Sequence, residues 1–118
     1  MAEFLTADNL PEGFEYPAEF IRVAEDLELT NLEPWWIFDG DQLRIRATGL
    51  RDRYPERKLV PFARRQDNDD LACWDLDRGD VAVIHDFADA GREQRERFED
   101  FNAWLRQAVE DLIEFGDM

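Results

Sequence analysis

Residues 59–87 read LVPFARRQDNDDLACWDLDRGDVAVIHDF. Three short apolar runs, Leu59–Ala63, Leu71–Leu76 and Val81–Asp86, are separated by two acidic clusters rich in turn formers. That pattern predicts three consecutive antiparallel strands. Asp77-Arg78-Gly79-Asp80 joins the last two. Val81-Ala82-Val83-Ile84 is apolar on both faces, which predicts a central strand. Pro61 has no amide proton to give a ladder, so it places its strand at an edge or at a bulge.

Working outward, Trp35–Phe38 is aromatic and β-branched and reads as a short strand. Asp39-Gly40-Asp41 is a turn signal, and Leu43, Ile45 and Ala47 then alternate with Arg44 and Arg46. The expectation is a hairpin whose second strand carries a basic outer face. Gly49–Arg57 reads as a charged loop. Upstream, Pro17 suits a first helical turn, and Phe20, Val23, Ala24 and Leu27 recur at helical spacing. Residues 1–16 read as a loosely ordered lead-in with a turn at Pro11–Gly13. Downstream of Ala90-Gly91, a long helix is expected from about Arg92 to Phe115. Phe98, Phe101, Leu105, Ala108, Val109 and Leu112 form its apolar stripe, widened by Trp104 and Ile113. The fold class is therefore α+β over a single domain, residues 1–118. One antiparallel sheet of about four to six strands would be flanked by an N-terminal helix and a long C-terminal helix.

Hydrophobic residues make up 44% of the 118 residues and aromatics 13%, enough for a real core. No apolar run approaches the ~20 residues of a membrane span. The N-terminal residues carry acids and no basic stretch, so no secretory signal is expected. Cys73 is the single cysteine and has no disulfide partner in the chain, so a reducing cytoplasm is the expected home. Charge is the stronger signal: 29 Asp and Glu stand against 14 Lys and Arg, a formal net charge of −15. Such an excess repels nucleic acid and anionic lipid and favours a basic partner. It also serves solubility.

Motifs for chemistry are sparse. Asp67-Asn68-Asp69-Asp70 is the densest acidic cluster. Clustered oxygens suit hard cations, but Leu71 and Ala72 stand where an EF-hand needs a ligand and a glycine. The structural reading is a tight turn in which Asp and Asn side chains bond nearby amides. The functional reading is an edge that offers carboxylates to a partner's arginine or lysine. His85 is the only histidine and the chain contains no serine, so neither a histidine cluster nor a Ser-His-Asp triad can form. A Cys73–His85 nucleophile pair is conceivable across strands, but Cys73 sits in an apolar run and reads as a small core residue. His85 reads as a cap on its strand-end loop. In a strand, Trp35 and Trp36 face opposite ways, so either one is exposed as an interface anchor or both pack. Trp74 and Trp104 read as core. No metal or cofactor is expected.

Leu59-Val60-Pro61-Phe62-Ala63, Asp69-Asp70, Cys73-Trp74-Asp75 and Val83-Ile84-His85-Asp86 together resemble the SUKH superfamily, the Smi/Knr-type domain of many bacterial toxin-immunity proteins and cell-wall-synthesis regulators. The tail Phe98…Phe101…Trp104-Leu105 is similar to the family's closing helix. Leu10-Pro11 and the helix from Pro17 occupy the place of its first helices. Two departures stand out. No glycine follows the first helix at Leu29–Leu32, and Asp69-Asp70 replaces a frequent Gly-Asp.

The resemblance implies a non-enzymatic binding protein, an immunity protein that neutralises a toxin by direct contact. Such toxins include nucleases, which are commonly basic, and the −15 charge fits them. The alternatives are a regulatory or scaffold module of the same fold or, further off, a small hydrolase. The residues expected to meet the partner are Asp67, Asn68, Asp69 and Asp70, with Trp36, Asp39, Asp41, Asp75 and Asp86 behind them. No contact with nucleic acid or membrane is expected, and the chain would be a monomer or homodimer.

Overall fold

A computed structural model describes residues 4–5 and 10–116. Six antiparallel strands form one sheet in chain order, β1 (Asn31–Leu32), β2 (Trp35–Ile37), β3 (Leu59–Arg65), β4 (Asp70–Asp75), β5 (Asp80–His85) and β6 (Gln94–Phe98). The α+β expectation holds, and so do the three strands of residues 59–87. A first helical segment, α1 (Ala18–Ile21), runs on into a π-helical turn over Arg22–Asp26. Helix α2 (Gly40–Arg53) interrupts the sheet between β2 and β3, and α3 (Phe101–Gly116) follows β6. The expected lead-in over residues 1–16 lies partly outside the described residues; its turn is present, with the Phe14 amide donating to Pro11 O at 3.2 Å.

Two expectations are corrected. Residues 40–53 form a helix where a hairpin strand over Leu43–Ala47 and the first part of a charged loop over Gly49–Arg57 were expected. Leu43, Ala47 and Leu50 are buried at helical spacing, and this two-turn stripe outweighs the short alternation of Leu43, Ile45 and Ala47. Ile45 is exposed as a result. Asp39, in extended conformation, stands at the N-cap, and Gly40 follows at φ +66°, where a side chain would be strained. The long C-terminal helix is also shorter than expected. Residues 94–98 pair with β5 as an edge strand, and the helix starts at Phe101. Asp100 caps it: its Oδ1 accepts from the Ala103 amide at 2.9 Å.

Pro61 sits at a bulge. β3 and β4 pair Pro61 with Cys73 but Ala63 with Ala72, leaving Phe62 as the extra residue. The bulge aims Phe62 into the aromatic core, at 4.5 Å from Trp74 and 4.9 Å from Trp104 between ring centroids. Phe20 and Phe101 close the same cluster. This face of the sheet therefore packs against α1 and α3. Leu71, Cys73, Ala82 and Ile84 point the other way and are buried under α2.

Candidate functional site

Trp35 and Trp36 divide between the two faces. Trp35 is buried against Trp104, with centroids 5.6 Å apart, and its Nε1–H donates to Asp111. Trp36 is 36% exposed, whereas Trp35, Trp74 and Trp104 are all buried. It lies on the α2 side of the sheet, where the cross-strand neighbour is Arg64. Its indole Nε1–H donates to Gln66 Oε1 at 3.0 Å, which fixes the ring.

An open groove of about 660 Å³ runs past Trp36 to the start of α2. Thr30, Asp39, Asp41, Gln42, Arg64 and Gln66 complete its polar lining. The elements explain this convergence. β1 has only two residues and leaves β2 partly bare, and α2 starts at Gly40, beside the strand it has just left. Asp41 pairs with Arg44 one turn along the helix, yet its side chain remains 87% exposed. Arg64 donates to Gln42 Oε1 at 3.2 Å.

Three of the residues expected from sequence, Trp36, Asp39 and Asp41, thus line one groove. Asp67, Asn68 and Asp69 lie on the β3–β4 turn, which starts at Gln66, and Asp70 opens β4. There the turn-forming reading is realised: Asn68 Oδ1 accepts from the Asp70 amide at 2.8 Å. Asp67 pairs with Arg65 at 2.7 Å and stays at the surface. The Asp70 carboxylate is turned inward to His85 Nδ1 at 2.9 Å and Arg95 at 3.2 Å. His85 thus ties the end of β5 to the start of β4 through Asp70, across the strands, where a cap on its own loop was expected.

Asp75 and Asp86 are corrected as contact residues, because both are buried beneath arginines. Asp86 is 0% exposed and is held by Arg46 and Arg53, while the exposed Phe87 ring lies 4.1 Å from the Arg53 guanidinium. Asp75 accepts from Arg57 and Arg97. Burial pushes its carboxyl up, but these hydrogen bonds prevail and hold it below the ordinary carboxylate range. Glu93 behaves alike, with its own amide, Arg57 and the Gly91 amide outweighing burial. The Arg46 that was expected on a basic outer face is spent on this internal network.

The Cys73–His85 pairing does not arise. Cys73 faces Ala82 and His85 faces Asp70, three residues along β4 and on the opposite face. Burial pushes the Cys73 thiol far up, which keeps it un-ionised and unreactive. Among the described residues, no group of three or more His, Cys, Asp or Glu is placed to hold a metal ion. No helix among them is long and apolar enough to cross a membrane.

The groove residues missed from sequence are Thr30, Gln42, Arg64 and Gln66. Arg64 and Gln66 lie beyond the Leu59–Ala63 run expected as a strand; β3 extends to Arg65, its pairing with β2 sets Arg64 opposite Trp36, and Gln66 follows directly. Comparison of the chain with protein-family models, curated proteins and solved structures finds no match.

Proposed function

We propose that this protein acts by binding a basic protein directly through the Trp36 groove, as a cytoplasmic immunity-type protein of the SUKH kind that neutralises a cationic toxin. The observation that carries the reading is the exposed, hydrogen-bonded Trp36 beside Asp39 and Asp41. An aromatic fixed in place loses little entropy on contact and makes a good anchor. The −15 charge would steer a cationic partner toward it. The likeness to SUKH proteins rests on the strand and tail residues quoted above, and the α+β sheet accords with it.

The test is paired affinity capture from the native host, with wild-type protein and Trp36→Ala as baits and Glu12→Gln as a distant control. The reading expects a basic protein, encoded beside this gene, that is retained by wild type and control and lost by Trp36→Ala. A specific partner held equally by all three baits would refute the groove. A partner encoded elsewhere with a housekeeping role would favour the regulatory module over immunity.

A further inference from the structure

We infer that the Trp36 groove reads an arginine side chain of the partner, and not positive charge in general; the inference rests on the binding role proposed above. The chain twice builds the same arrangement for its own arginines. Arg53 lies over the Phe87 ring at 4.1 Å while making two hydrogen bonds to Asp86. Arg65 lies over Trp35 at 5.8 Å and pairs with Asp67 and Asp111. Each is an aromatic face plus carboxylates around one planar cation. Trp36, Asp39 and Asp41 line one open groove, which brings an aromatic side chain and two carboxylates together at the surface. Two arginines of the chain border it: the cross-strand neighbour Arg64 gives its guanidinium to Gln42, and Arg44 pairs with Asp41.

The chemistry favours guanidinium over ammonium. Arginine stacks on an indole and at the same time offers a planar fork to a carboxylate. Lysine is a compact, strongly hydrated charge that does neither as well. A carboxylate has about four acceptor positions, so the Asp41–Arg44 pair does not exhaust Asp41, whose side chain is 87% exposed. The Gln66 hydrogen bond holds the indole ready. Arg64 works against a second cation in the groove. Removing its charge should therefore tighten binding, a gain that unfolding cannot mimic.

The probes are a capped glycine–arginine–glycine peptide and its lysine counterpart, titrated at low salt into isotope-labelled protein. The readout is the indole N–H resonances, with Trp36→Phe identifying the Trp36 signal. The expected result is a shift of that signal and of the groove amides, with the arginine peptide binding roughly fivefold or more tighter than the lysine peptide. Asp41→Asn should weaken the arginine peptide roughly two- to fivefold, and Arg64→Gln should strengthen it. Equal affinities for the two peptides would overturn the arginine reading and leave the basic-partner proposal standing. Shifts confined to the Asp67–Asp69 turn would overturn it by placing the site elsewhere. No shift from either peptide would overturn it and count against the proposed function as well.

Discussion

Arg53 donates two hydrogen bonds to the Asp86 carboxylate, each 2.7 Å long, and the Asp86 side chain is wholly buried. Arg46 adds a third at 3.1 Å. Geometry of this kind ties α2 to the end of β5, and it explains why an acid that looks like a surface residue in the sequence is not one.

Asp86→Ala would leave two half-buried guanidiniums without their carboxylate. The expected loss is about 3–5 kcal/mol in urea unfolding. Asp67→Ala, which removes an exposed pair with Arg65, should lose about 1 kcal/mol or less. Similar losses from the two substitutions would contradict the burial assigned to Asp86.

Gly49 lies mid-helix, where alanine would normally gain up to about 1 kcal/mol. A Cβ there would come within 2.5 Å of Arg53 Nη2 and 2.8 Å of Nη1. Gly49→Ala must therefore shift the Arg53 guanidinium that Asp86 holds, and little or no stabilisation is expected in the wild type. In an Asp86→Ala background Arg53 is already released, so the helix gain should reappear. A double-mutant cycle measures this coupling; strict additivity would show that Arg53 moves aside freely.

Asp75 and Glu93 set an acid limit. Burial raises both, but Arg97 and Arg57 on Asp75, and the Glu93 amide and Arg57 on Glu93, hold both below the ordinary carboxylate range. A lowered folded pKa stabilises fully above the unfolded value of about 4. That stability is lost as pH falls from there through the folded values. The melting temperature should hold steady near neutrality and drop below about pH 4. Arg57→Gln, which removes the shared donor, should lower stability at pH 7 and flatten the drop. Parallel curves for wild type and variant would refute the role of Arg57.

Much of the fold was legible because residues 59–87 carry one clear period and unambiguous turns. The α2 region was not, since Leu43 and Ala47 fit a strand and a helix equally. The deciding evidence was further along, at Leu50 and in the cap at Asp39. β6 was hidden because Gln94–Phe98 has the charged composition of an exposed edge strand, which protects against pairing and leaves no apolar alternation. The Asp100 cap was the available sign that the helix began later. Within the site, Trp36, Asp39 and Asp41 were legible from residue type. The burial of Asp75 and Asp86 was not, because it depends on arginines 18 to 40 positions away in the chain.

Trp36 should dominate the accessible fluorescence. With the other three tryptophans buried, Trp36→Phe is expected to blue-shift the emission and remove most acrylamide quenching. Stability should change by no more than about 1 kcal/mol, since little burial is lost. Undiminished quenching in that variant would place another tryptophan at the surface.

The most direct measurement is the association rate with the captured partner at rising salt, for wild type and for Trp36→Ala. Electrostatic steering to an anchored groove predicts that the wild-type rate falls at least roughly tenfold between low and high salt. Trp36→Ala should keep that salt dependence and dissociate faster. A rate indifferent to salt, with dissociation unchanged by Trp36→Ala, would contradict the account.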